Sequence, residues 1–186
     1  MKEVLEHDDL LEKLGVNQAY FMDRGLVKYE DAPEKQLRVV QVDDLKEGGQ
    51  REHELISEAA EAWHQMKLAA QNDGVELVMV SAYRSVARQA EIVGKKYERG
   101  LGAEDIFAVS APPGFSEHHT GRAVDISTPG YAVLEEEFEE SEAFRWLTER
   151  AGEFGFTMTY PRENAYGFLY EPWHWVWNDK SNESLT

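Results

Sequence analysis

The feature that most constrains the fold lies at the centre of the sequence, where a stretch of helical period runs straight into one of strand period. In SEAAEAWHQMKLAAQNDG (57–74), Trp63, Met66 and Ala70 recur at the three- and four-residue spacing of one helix face. Ser57 is placed to cap that helix, and Asp73-Gly74 closes it. VELVMV (75–80) then reads as a strand ending at the turn SAYRS, and a second helix runs from near Ser85 to about Arg99. APPGFSEHH (111–119) is a loop by its Pro-Pro-Gly content, after which RAVDIS (122–127) alternates as a strand does. There Ala123 and Asp125 share one face, and Val124 and Ile126 the other. A third helix covers roughly Ser141 to Glu153, and FTMTY and WHWVW supply two late strands. Helices and strands mix without regular βαβ alternation. The expected class is therefore α+β, with a small, mostly antiparallel sheet and flanking helices.

The first fifty residues are weakly patterned, with a short leading helix in HDDLLEKLG and a strand in LRVVQV. A chain of 186 residues, 42% of them hydrophobic, can bury a core without disulfides, and we expect one domain. The run LEEEFEESEAF (134–144) reads as a solvated face leading into the third helix. No window approaches the roughly eighteen apolar residues that a membrane helix needs. The first sixteen residues carry neither a basic start nor an apolar stretch, so no secretory signal is visible. The expectation is a cytoplasmic protein, or a periplasmic or extracellular one if a leader has been removed.

Charge and cysteine content exclude several chemistries. Nineteen basic against thirty-six acidic residues leave a formal charge of −17, a field that repels nucleic acid and anionic membranes. With no cysteine, any metal must be held by histidine and carboxylate. Two segments offer these. In SEHHTGRAVDIS, His118 precedes Asp125, and Gly121 lets the chain turn so that both face one point. In YEPWHW, His174 follows Glu171, whose backbone is pushed toward extended geometry by Pro172. Glu171 can thus stand beside a metal without binding it, where a general base belongs. The plainer reading is a polar loop for the first segment. For the second it is an aromatic edge strand, with Trp173, Trp175 and Trp177 on the core and His174 incidental.

Taken together, Ser-x-His-x-x-Gly-x-Ala-x-Asp (Ser116, His118, Gly121, Ala123, Asp125) and Glu-x-Trp-His (Glu171, Trp173, His174) resemble the VanY-type zinc D-alanyl-D-alanine carboxypeptidases. The turn SAYRS (81–85), followed by Gln89, adds a third element in the right order. Relatives of that family include VanX-like dipeptidases and L,D-carboxypeptidases. The resemblance covers roughly residues 75–178 and implies a zinc peptidase core of the D-Ala-D-Ala carboxypeptidase/Hedgehog-like type. It implies a catalytic core over 56–178, preceded by a variable approach segment, 1–55, that either caps the cleft or completes the fold. It further implies one zinc ion on His118, Asp125 and His174, with Glu171 as the base acting on its water. Arg84 would pair with the substrate's terminal carboxylate or polarise the scissile carbonyl, as its planar fork allows. Ser116, Tyr83, Ser85 and Gln89 would line the pocket for the last D-residue. The implied substrate is a peptidoglycan stem peptide or soluble muropeptide precursor, cut as a pentapeptide (D,D) or a tetrapeptide (L,D).

His119 is expected at the rim, with His7, His53 and His64 on the surface. Two other functions compete. A phage-type endopeptidase would often carry a wall-binding module, for which nothing after Trp177 is long enough. A non-catalytic, zinc-stabilised binding domain would lack the base or the arginine, yet Glu171 and Arg84 are both present.

Overall fold

The structure is a computed structural model describing residues 7–179. Helix α3 (Ser57–Asn72) buries Ala59, Trp63, Met66 and Ala70, the face expected from their spacing. Its closure is also as expected: Gly74 takes φ +79°, and the Val75 amide donates to Ala70 O at 2.9 Å. Its start differs. Ile56, still extended, is the N-cap residue, and Ser57 is already helical and makes no capping bond. The reason is that strand β2 (Gln50–Ile56) runs directly into α3, and the Ile56 amide is taken by Gly121 O at 3.0 Å.

Strand β1 (Leu37–Asp43) pairs antiparallel with β2 as a separate two-stranded ribbon. The second sheet contains β3 (Val78–Ser81), β4 (Ala123–Ser127), β5 (Phe156–Met158) and β6 (His174–Trp177). Its order is β3-β4-β6-β5, antiparallel throughout. The β3 strand is shorter than the expected 75–80 stretch, and its register with β4 shifts between Met79 and Ser81. All five residues of β4 are buried, so both faces of this central strand are covered. The register sets Asp125 opposite His174 on one side and Ser81 on the other.

Helix α4 (Val86–Glu98) is capped by the Ser85 hydroxyl, which accepts from the Arg88 amide at 3.1 Å. Helix α6 (Glu142–Arg150) is capped in the same way by Ser141. Among the described residues there are three further α-helices, α1 (His7–Lys13), α2 (Gln18–Asp23) and α5 (Ala103–Val109). The acidic run before α6 folds into a 3-10 turn whose acids face outward while Phe138 is buried.

Two hydrophobic clusters result. One joins α3, α6 and the inner faces of both sheets around Trp63, Met66, Leu77, Ile126 and Phe156. The other joins α1, α2, α4 and α5 through Leu10, Leu11, Phe21, Val93, Ile106 and Phe107, reaching Phe115, Tyr160 and Phe168. Within the described residues, the N-terminal segment is tied to the rest of the fold. The Tyr29 amide donates to Gly114 O (2.7 Å), the Ala32 amide to His119 O (2.8 Å), and Asp31 accepts from the Val86 amide (2.8 Å). Among the described residues, no helix is long and apolar enough to cross a membrane.

Candidate metal centre and cleft

His118, Asp125 and His174 come together, each with a ligand atom within 4.8 Å of the others', and all three are buried. The turn that presents His118 needs a glycine after it. Gly121 sits at φ +67°, and a Cβ there would lie 3.0 Å from Ile56 Cγ2 and 3.1 Å from Leu37 Cδ2. Asp125 and His174 then meet as direct partners across β4 and β6.

Each imidazole has one nitrogen committed away from the centre. His118 Nδ1 lies 2.7 Å from Ala82 O. A carbonyl can only accept, so Nδ1 carries the proton and Nε2, 3.3 Å from Asp125 Oδ2, keeps its lone pair for the centre. His174 turns the opposite nitrogen inward: Nδ1 is 3.1 Å from Asp125 Oδ1, and Nε2 is 2.8 Å from Glu117 Oε2. Burial pushes His118 down, against the opposing pull of Asp125. Burial also acts against a charged His174, but hydrogen bonds to Asp125 and Glu117 outweigh it and push the ring up to about 10. For Asp125 burial disfavours the charge, yet the two histidines hold it well below the usual carboxylate range. A buried carboxylate between two imidazoles is a set that could hold a metal ion.

The centre lies in a cavity of about 870 Å³ that Glu171, Arg84, Gln89, Ser116 and Tyr83 also line. Burial, with the Asp125 charge behind it, pushes Glu171 up to about 7 against His174 and Arg84. Arg84 donates from Nη1 to Gln89 Oε1 at 2.8 Å, and Gln89, itself buried, donates to Ala111 O at 2.6 Å. Gln89 therefore aims the guanidinium. Arg88 and Lys96, also from α4, line the same cavity. These cations share the lining with the carboxylates Asp43, Asp44, Glu135 and Glu136, and Arg88 is itself paired with Glu91 at 2.5 Å.

Three expectations change. Ser85 is not among the cavity-lining residues; its hydroxyl is spent capping α4. His119 is not at the rim but fully buried, and it ties the motif loop to the Arg84 turn. Its Nε2 accepts from the Gly114 amide at 3.1 Å, so its proton sits on Nδ1, which donates to Arg84 O at 2.6 Å. His53 is half-buried and lines the cavity, with Nε2 lacking a hydrogen-bond partner. His64 is exposed as expected, and the side chain of His7 lies outside the described residues. Glu117 is the residue that motif reasoning missed. Adjacent to His118 in sequence, it gives no spacing signal that it reaches His174.

Known proteins resemble the chain in sequence and in fold. The sequence pattern of the VanY family, described as D-alanyl-D-alanine carboxypeptidase, matches residues 52–180. The D-alanyl-D-alanine carboxypeptidase of Enterococcus faecalis (strain ATCC 700802 / V583) is 34% identical over 117 residues, 58% of this chain and 42% of that protein. The chain spans less than half the length of the curated relatives it matches first. Among solved structures, the LdcB LD-carboxypeptidase superposes with a TM-score of 0.71 at 32% identity, over 82% of this chain and 72% of that one. A mutant of the vancomycin-resistance D,D-pentapeptidase VanY, from a VanB-type cassette and in complex with Zn(II), gives 0.56 at 27%, over 83% and 88%.

Proposed function

Because the chain belongs to the VanY family of D-alanyl-D-alanine carboxypeptidases, we propose that it is a zinc-dependent carboxypeptidase removing the terminal D-alanine from peptidoglycan stem peptides. The observation that carries this reading is the buried His118, Asp125 and His174 set opening into a cavity that also holds Glu171 and Arg84. Two imidazole nitrogens and a carboxylate oxygen, in a chain without thiolates, suit zinc's borderline softness. When bound, zinc supplies Lewis acidity, acidifying water and polarising a carbonyl.

The remaining work falls to protein groups. Arg84, held by Gln89, pairs through its fork with the terminal carboxylate and so sets the last peptide bond over the centre. Ser116 and Tyr83 line the pocket for the terminal residue. Glu171 takes a proton from the attacking water and returns it to the departing amine. With its affinity for a proton raised toward neutrality by burial, it can do both. Free D-alanine leaves. The fold superposes better on an LD-carboxypeptidase than on a D,D-pentapeptidase, and on that comparison we rest the choice of a tetrapeptide over a pentapeptide substrate.

The test is D-alanine release from a tetrapeptide and a pentapeptide offered in parallel, with chelator and with zinc restored. Release from the tetrapeptide, abolished by chelator and recovered with zinc, is expected. Release from the pentapeptide alone reverses the substrate assignment, and release from neither by zinc-loaded protein removes the carboxypeptidase reading. Glu171→Gln should keep its zinc and lose about 10²–10⁴-fold in turnover, the usual worth of a positioned base. Unimpaired turnover in that variant would remove Glu171 from the role.

A further inference from the structure

We propose that Glu117 is a positioning residue for the metal centre, fixing which nitrogen of His174 faces the ion. The inference rests on the ligand set proposed above and extends it to a residue outside that set.

A histidine ring can present either nitrogen, and a flip about the Cβ–Cγ bond replaces Nδ1 with a carbon. His118 has its choice made by the main chain, because Ala82 O holds its Nδ1 proton. For His174 the choice is made by side chains alone. Asp125 contacts Nδ1 at 3.1 Å, but as a ligand Asp125 is itself engaged with the ion. That leaves the Nε2–H donation to Glu117 at 2.8 Å as the contact that holds the ring from outside the centre.

The surroundings of Glu117 suit a fixed acceptor. Its side chain is 15% exposed, and Thr159 and Tyr160 lie beside the carboxylate. The Tyr160 ring stacks on His174 with centroids 4.8 Å apart and planes at 26°, which confines the imidazole to one plane. Stacking sets that plane without distinguishing the two flips, because both faces of a flipped ring look alike to an aromatic neighbour. Discrimination needs an acceptor at one edge, and Glu117 is that acceptor. The 3-10 turn at 117–120 therefore supplies one ligand, His118, and orients another that lies 57 residues away from Glu117 in sequence. Outer-shell carboxylates of this kind are typically worth about 10–100-fold in metal affinity.

The experiment measures zinc affinity by competition with a chromophoric chelator for the full chain and its Glu117→Ala, Glu117→Asp and Glu117→Gln variants. Ring-nitrogen NMR of His174 in the zinc-loaded proteins is recorded alongside. Expected are about 10–100-fold weaker binding in Glu117→Ala, with mixed ring states at His174, and a similar loss in Glu117→Asp, whose shorter arm cannot reach. Glu117→Gln, which keeps an acceptor at the same reach, should lose less and retain the Nε2 proton. Equal affinity in all four proteins, with His174 still protonated on Nε2, overturns the proposal. Thermal melting of the metal-free variants separates a folding defect from an affinity defect. Should Glu117→Ala not fold, the Asp and Gln pair decides by the same two readouts. Failure of the underlying ligand set looks different: wild-type protein without stoichiometric zinc, or His174→Ala that retains it.

Discussion

The two hydrophobic clusters flank one site but hold different parts of it. The larger, under α3 and α6, backs the strands β4 and β6 that carry Asp125 and His174. The smaller is built largely from α1, α2, α4 and α5, and it backs the cavity wall at Tyr160 and Phe168. The first governs whether the ligand atoms meet at all, since their meeting depends on strand register. The second governs mainly the shape of the space beside them, touching the ligands only where Tyr160 stacks on His174. Damage to the larger cluster should therefore appear in metal binding, and damage to the smaller in substrate handling.

The largest expected effect tests the first half of that contrast. Trp63→Ala, at a fully buried position, should cost about 3–5 kcal/mol and take zinc affinity down with stability, read by urea unfolding and metal content. Retained metal in a severely destabilised protein would mean the ligand set does not depend on that core. Leu11→Ala should cost about 2–5 kcal/mol, yet leave zinc affinity near that of wild type while kcat/KM falls. A parallel loss of zinc would merge the two clusters into one functional unit. Smaller again is Arg24, whose Nε and Nη2 both donate to Tyr166 O in the loop between β5 and β6. Arg24→Met should cost about 1 kcal/mol and quicken proteolytic cleavage of residues 161–170 without altering metal content.

Two effects at the outer end of the larger cluster should leave the cleft untouched. Ser141→Ala removes the cap of α6 at about 1 kcal/mol, seen as a lower Tm with unchanged kcat/KM. The smallest is an acid-side effect at Asp73, which the Trp146 indole, then Arg150, hold below the usual carboxylate range. A depressed carboxylate stabilises the fold above its unfolded value of about 3.9, and that contribution drains away as pH falls through the folded value. Asp73→Asn should flatten that part of the acid melting curve and leave the neutral one slightly lower.

Legibility in the sequence follows the same division. The larger cluster could be read because α3 repeats its apolar residues with helical period and its strands are apolar and short. In the smaller, α1 and α4 were expected, but α2 and α5, six and seven residues long, were not, because they give too few turns for a period to emerge. Strand β2 was missed for a different reason. Its REHELI segment is exposed or half-exposed until Leu55, so it carries no alternation of its own and is held by pairing with β1. Within the site, the meeting of His118, Asp125 and His174 beside Glu171 and Arg84 was legible because the motifs around them resemble those of a known family. Glu117 and His119 were not, since partners 57 and 35 residues away leave no local trace.

The order of strands in the four-stranded sheet bears on the timing of metal uptake. Strand β6 lies between β4 and β5, so β5 has no partner in the sheet until β6 is in place. His174 reaches Asp125 only when that central strand is seated, after a loop of 49 residues has been drawn shut. A chain that has folded only through β4 offers His118 and Asp125 without their third partner, a poor trap for an ion. A metal ion on these three residues would be held in full only once β6 is seated beside β4.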